Sequence, residues 1–327
     1  AVNKLLGESE EIVKMSVAHL KTIYIVTKPE AVQHILESPN YIRNPLALNS
    51  ARDLLEGGID VTHDYLGEDV QALIQTFNAD QEKKFIAKSV TTIENTLNDW
   101  EKFADQNKPF NLRTEMSRLF IQLYLDTFLS GIKLDDVPAA AELMHRIFKY
   151  FSPLNYYLKF LGKIPLPTPF RHYLECKNQA IAIGFQLMER SMQQESSDFN
   201  FIRFLASHSK HPSSFAELDI HMKRHLAGRA FATLISSTHN NIGLLSHLLV
   251  HLALHPDIKD NIRKEVESVV GNRNPTYEDL QKLVYTRAVF LETTRLYPAL
   301  LSIFRMSKEN DTIDRKSTRL NSSHDQR

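Results

Sequence analysis

The spacing of apolar positions divides this chain into a short β-rich start and a long helical body. Ile12 to Val17 and Thr22 to Val26 are partly alternating runs separated by Ala18-His19-Leu20-Lys21, and they predict a β-hairpin. Lys28-Pro29-Glu30 opens a helix with proline in its first turn and Val32, Ile35 and Leu36 on one face. Residues 38–63 hold Pro39, Pro45, Gly57 and Gly58 and predict irregular structure around short helices. From about Gly67 to Trp100 the pattern is helical, with Val70, Leu73, Ile74 and Phe77 three or four residues apart. Further helices are predicted from about Leu112 to Leu129 and from about Ala139 to Tyr150, the second with Pro138 at its start. The run IPLPTP at 164–169 breaks helix and starts another that carries Cys176.

The longest proline-free apolar stretch runs from about Leu218 to His255. As one helix it would exceed 50 Å at about 1.5 Å per residue. Its middle, Ser236-Ser237-Thr238-His239-Asn240-Asn241, places six poor helix formers in a row. Such residues bond their own backbone locally, so a kink or opening is one expectation, and a solvent-facing polar stretch of unbroken helix is the other. After Pro256 an amphipathic helix carries Ile258, Ile262, Val266, Val269 and Val270 and ends at Gly271. Thr276 followed by Glu278 and Asp279 predicts a capping box. The next helix carries Ala288, Val289 and Leu291, places Glu292 and Arg295 on one face, and stops at Pro298. A strand around Ser302–Met306 is expected to join the N-terminal sheet.

Composition narrows the chemistry. The 327 residues carry 39 basic and 39 acidic side chains and are 43% hydrophobic, which is globular composition without the clustered basic excess of a nucleic-acid binder. Ten glycines are too few for a glycine-rich nucleotide fold or a barrel. One cysteine, Cys176, excludes an intrachain disulfide and any multi-cysteine metal site. No run of apolar residues approaches the length that spans a membrane. From Asp314 the chain reads DRKSTRLNSSHDQR, abruptly polar, and DRKSTRLNSSH resembles the translation of a sequencing-adapter read-through. Residues 314–327 are therefore expected to be a non-native tail that packs against nothing, and residues 1–313 to be the folded part.

HPDIKDNIRKEV (255–266), YEDLQKLVYTRAVFLETTRLYP (277–298) and Arg305 carry a resemblance to the cytochrome P-450 superfamily of haem-thiolate monooxygenases. The order is the family's: a long central helix ending at His-Pro, an acidic helix, then a helix with Glu-x-x-Arg before Tyr-Pro. Weaker agreement extends over the hairpin, IVTKPEAVQHIL (25–36), Gly57-Gly58-Ile59, Trp100, FLSG (128–131) and the proline-rich linker. The resemblance implies a mainly α fold with a small β-sheet, a C-terminally incomplete cytochrome P-450 domain. It also implies a haem (heme) cofactor against the central helix, a thiolate iron ligand that favours O–O cleavage, a small apolar substrate, and electrons from a reductase or ferredoxin. Both a soluble cytoplasmic member and one anchored at the cytoplasmic face of the ER membrane fit, the anchor lying before residue 1.

Residue by residue, the resemblance places the usual acid and Thr of the proton relay on His239 and Asn240, and the small pair beside the substrate pocket on Ser236 and Ser237. Histidine moves protons near neutral pH, whereas Asn hydrogen-bonds without titrating. Arg305 matches a haem-propionate ligand, and Glu292 with Arg295 the family's buried ion pair. The Trp and Arg that usually bind a propionate fall on Leu66 and Val70, which donate nothing. Cys176 precedes the central helix and does not match the iron ligand, so this chain is expected to be inactive as written. Two alternatives stay open: a rearranging haem enzyme that needs no oxygen activation, and a non-catalytic helical binding protein of the same fold.

Overall fold

The structure is a computed structural model, and it describes residues 12–17, 21–43, 78–147, 169–196, 198–208, 219–299, 303–313 and 319–320. It forms two compact units, Ala1–Ala47 with Ser302–Arg327, and Leu48–Leu301. Positions 66 and 70, Gly57-Gly58-Ile59 and most of the proline-rich linker lie outside the described residues.

In the first unit β1 (Ile12–Val17) and β2 (Lys21–Val26) pair antiparallel, with Val13 opposite Ile25. Helix α1 (Pro29–Glu37) starts on its proline, whose missing N–H would have had no helical partner in any case. It presents Ala31 and Ile35 to a small core with Tyr24, Val26, Tyr41 and Ile313. His34 Nε2 lies 2.8 Å from Asp311 Oδ2. The strand expected at 302–306 is β4 (Arg305–Ser307), and it pairs with β3 (Tyr41–Arg43), Ile42 opposite Met306, rather than with the hairpin. Three residues are too few for alternation to register in the sequence, which is why β3 escapes a periodicity search. β5 (Asp311–Thr312) pairs with β6 (Arg319–Leu320), so the tail is not wholly unpacked as expected. Backbone hydrogen bonds to a strand edge need no apolar side chain, and composition does not reveal them.

The second unit is helical: α2 (Ala79–Asp105), α3 (Leu112–Phe128), α4 (Val137–Ile147), α5 (Pro169–Gln193), α6 (Phe201–His208), α7 (Ile220–Leu254), α8 (Pro256–Val269), α9 (Tyr277–Leu280) and α10 (Val284–Leu296). Side-chain caps fix several starts. Asn78 Oδ1 accepts from the N–H of Asp80 and Gln81 at 3.1 Å, and Asp219 Oδ1 accepts from Met222 N at 2.8 Å. At α9 the capping box forms as predicted: the Asp279 carboxylate accepts the Thr276 N–H and hydroxyl, both at 2.9 Å. Arg273 grips the same carboxylate, which holds it well below the usual carboxylate range. The core gathers where α3, α4 and α5 pack on α7, around Met116, Ile121, Leu125, Leu143, Met144, Leu187 and Phe231. Each such side chain contributes about 1.5–3 kcal/mol on burial. Gly184 lets α5 and α7 touch: a Cβ there would stand 2.0 Å from the Ala227 carbonyl oxygen.

Candidate active site on the central helix

Helix α7 is one continuous helix from Ile220 to Leu254, so no opening interrupts it at residues 236–241. The poor helix formers stay helical by bonding the helix itself. Ser236 Oγ donates to Thr233 O at 3.1 Å, Thr238 Oγ1 to Leu234 O at 2.7 Å, and Asn241 Nδ2 to Ser237 O at 2.9 Å. Such back-bonds weaken a helix slightly, and packing of the apolar flanks offsets that. Phe231, Leu234, Ile235, Ile242 and Leu244 are all buried.

The polar segment has two sides. Thr238 is buried, and its hydroxyl lies 3.8 Å from Met144 Sδ of α4. Ser236, Asn240, Gly243 and His247 recur every three or four residues along an open side; Ser236, Gly243 and His247 are exposed and Asn240 is partly buried. Gly243 flattens that side, since a Cβ there would meet nothing within 4 Å. Ser237 is partly buried.

His239 is partly buried and stands near two cationic or potentially cationic groups, Arg113 of α3 and His145 of α4. Burial first, then those two neighbours, lower its pKa to about 4. At neutral pH its imidazole is therefore uncharged and a poor proton donor. Sequence reasoning missed this surrounding shell. His145 Nε2 lies 3.2 Å from Ser117 Oγ, and the Ser117 hydroxyl proton goes to Arg113 O at 2.8 Å. Nε2 must then be the donor to Ser117, which leaves Nδ1 the unprotonated nitrogen, and it is buried with no hydrogen-bond partner. Burial and then Arg113 lower the pKa of His145 also, against an opposing effect of Glu142. A histidine next to buried Met144 in α4 was the available signal.

Glu292 and Arg295 of α10 form a bidentate pair at 2.7 and 2.6 Å. Their side chains are 53% and 67% exposed, so the pair is not buried as the resemblance implied. The face of α10 that carries them, with Leu291 and Leu296, is open. Helix α10 is oriented instead through Glu265 of α8, whose carboxylate accepts from the N–H of Tyr285 at 2.7 Å and of Thr286 at 2.8 Å. Arg305 belongs to the first unit, where its Nη1 donates to Phe304 O at 3.1 Å.

Cys176 is 2% exposed within the core on α5, and burial pushes its thiol pKa up. A thiol that resists ionisation among apolar side chains behaves as a small hydrophobe, not as an iron ligand. Among the described residues no thiolate is placed on the open side of α7. Among the described residues no group of three or more His, Cys, Asp or Glu is arranged to hold a metal ion.

The helix order, a long α7 followed by α8, the capped α9 and the Glu-x-x-Arg helix, agrees with comparisons to known proteins. The Cytochrome P-450 family model matches residues 1–317, and the chain belongs to that family. It is 22% identical over 281 residues to cyclooctat-9-en-7-ol 5-monooxygenase of Streptomyces melanosporofaciens, covering 84% of this chain and 59% of that protein. It is 29% identical over 168 residues to lanosterol 14-alpha demethylase of Pichia kudriavzevii, covering 50% of this chain and 39% of that one. The chain thus spans less than two thirds of either relative. The crystal structure of a cytochrome P-450, CYP102L1, superposes with a TM-score of 0.73 at 16% identity, covering 96% of this chain and 72% of its own.

Proposed function

We propose that this chain is part of a haem-dependent monooxygenase, an oxidoreductase that inserts one oxygen atom of O₂ into an apolar organic substrate. Membership of the family supports this, as do the monooxygenase and demethylase names of its relatives. The observation that carries it is the open side of α7 at Ser236, Asn240 and Gly243, in the middle of a 35-residue helix. In this reading Ser236 and Ser237 border the substrate pocket, and His239 with Asn240 occupies the proton-relay positions. Arg305 contacts a haem propionate, and electrons arrive from a separate reductase or ferredoxin. The bound haem would supply oxygen activation; the chain's own residues would set the shape and hydrogen bonding above it. None of the described helices is long and apolar enough to cross a membrane.

Cys176, the one cysteine of the sequence, is buried in the core, so in this reading these residues lack the iron ligand and alone do not turn over substrate. One observation favours a second reading: with its pKa near 4, His239 is a weak proton source at neutral pH. A haem enzyme that rearranges its substrate without consuming protons would tolerate that. The test is the complete product of the gene, reduced and exposed to carbon monoxide, then assayed for oxygen consumption with a redox partner. A thiolate-type Soret band with oxygen-dependent turnover supports the monooxygenase, and the same band without oxygen consumption supports the rearranging enzyme. No haem binding contradicts both and leaves a helical binding protein.

A further inference from the structure

The last turns of α7 carry His247, His251 and His255, each four residues from the next, with His255 the residue that ends the helix. Four-residue spacing places them along one side of the helix, within about 12 Å at about 1.5 Å per residue. Their environments differ. The His247 ring stacks on Tyr297, just past α10, with centroids 4.4 Å apart and planes 12° from parallel. Tyr297 also packs on His251, at 4.8 Å and 36°. The ring centroids of His251 and His255 lie 6.1 Å apart with planes 13° from parallel. His251 is partly buried and His255 exposed, so solvent ions reach both.

We propose that His251 and His255 form a two-histidine site for a divalent transition ion such as Zn²⁺, at the junction of α7 and α8. Two imidazoles bound to one Zn²⁺ at about 2.0–2.1 Å have ring centres roughly 5–6.5 Å apart, depending on the angle at the ion. The observed 6.1 Å lies inside that range, and because the planes are nearly parallel the exposed His255 ring must turn until a nitrogen of each ring points at one ion. The tyrosine ring restricts His251 before any ion arrives, which lowers the entropy lost on ligation. His247 stays out of the site because His251 makes its imidazole–imidazole contact with His255, whereas the His247 ring meets Tyr297 instead. No third His, Cys or carboxylate among the described residues joins the pair, so water fills the other positions and the affinity is modest. The helix dipoles decide little: α7 ends where α8 begins at Pro256, and the negative and positive ends offset one another. An ion held there would bridge the last turn of α7 and stabilise the folded chain by mass action.

The experiment is a zinc chloride titration of the chain against a chromophoric chelator, with thermal unfolding followed with and without zinc. Fourteen histidines make some adventitious binding certain, so the comparison is between variants. His251→Gln and His255→Gln should each weaken the tightest zinc equivalent by about tenfold or more, because the second bond of a chelate forms at high effective concentration. Both should also abolish the zinc-induced rise in Tm, while His247→Gln keeps affinity and Tm response intact. Unchanged binding in His255→Gln, or an equal loss in His247→Gln, overturns the site.

Discussion

The phenol of Tyr124 and the hydroxyl of Thr233 lie 2.6 Å apart, oxygen to oxygen, and join α3 to α7 one turn before the polar segment. Thr233 gives its own proton to Ala230 O at 2.8 Å, so Tyr124 is the donor. Tyr124 is 2% exposed, and burial pushes its pKa up, so the phenol stays protonated and able to donate.

Removing the acceptor strands a buried donor, whereas removing the phenolic oxygen strands only a threonine that keeps its bond to Ala230. Thr233→Val should therefore cost about 1–3 kcal/mol and Tyr124→Phe about 0.5–1.5 kcal/mol. Urea unfolding of both single variants and the double variant checks this. A double variant as stable as Tyr124→Phe alone is the expected outcome.

Two glycines should respond to alanine with opposite signs. At Gly184 the new Cβ would meet the Ala227 carbonyl oxygen at 2.0 Å, and backbone cannot step aside cheaply. Gly184→Ala should destabilise at the upper end of the roughly 1–3 kcal/mol seen for overpacking, or beyond it. At Gly243 the same methyl meets nothing within 4 Å, and Gly243→Ala should stabilise this chain by about 0.5–1 kcal/mol through helix propensity. Thermal unfolding of the pair provides the check.

Acidification should unfold the chain partly through His239. Its folded pKa is depressed from 6.5 to about 4, so as pH falls the unfolded chain takes up the proton first. The contribution is fully present above about pH 6.5 and is lost as pH falls toward 4, at most about 3 kcal/mol. His145 acts in the same direction. Unfolding free energies measured from pH 7.5 to 4.5 should fall less steeply in His239→Gln than in the unmodified chain; parallel curves would show that His239 titrates normally.

The Glu292–Arg295 pair should matter little here. Both side chains are more than half exposed, and exposed pairs contribute about 0–1 kcal/mol. Glu292→Gln should shift Tm by no more than a degree or two, and raising salt should erase even that. A large loss of stability would mean the pair is desolvated after all.

Much of this fold was legible in the chain because its elements announce themselves by period and cap. The hairpin, the Pro29 helix start, the Thr276 capping box and the approximate extent of α7 all follow from local rules. Non-local arrangement was less accessible. The three-residue pairing of β3 with β4 joins segments more than 250 residues apart, and neither carries an alternation of its own. The lowered pKa of His239 comes from burial first and then from Arg113 and His145, and the two charged or chargeable neighbours sit on two other helices. The stack of His247 and His251 on Tyr297 was hidden for the same reason: four-residue spacing shows the stripe of histidines, but not the aromatic ring that meets it.

In the proposed reading α7 lines one side of a haem pocket, and Cys176, the one cysteine of the sequence, is buried on α5 and does not ligate iron. Residues 1–313, supplied with haem, reduced with dithionite and exposed to carbon monoxide, test it in one spectrum, with Cys176→Ala measured beside them. The account predicts weak haem uptake without a thiolate-type Soret band, unchanged by the substitution. A thiolate-type band that disappears in Cys176→Ala would contradict it, since the buried thiol of α5 would then be the iron ligand.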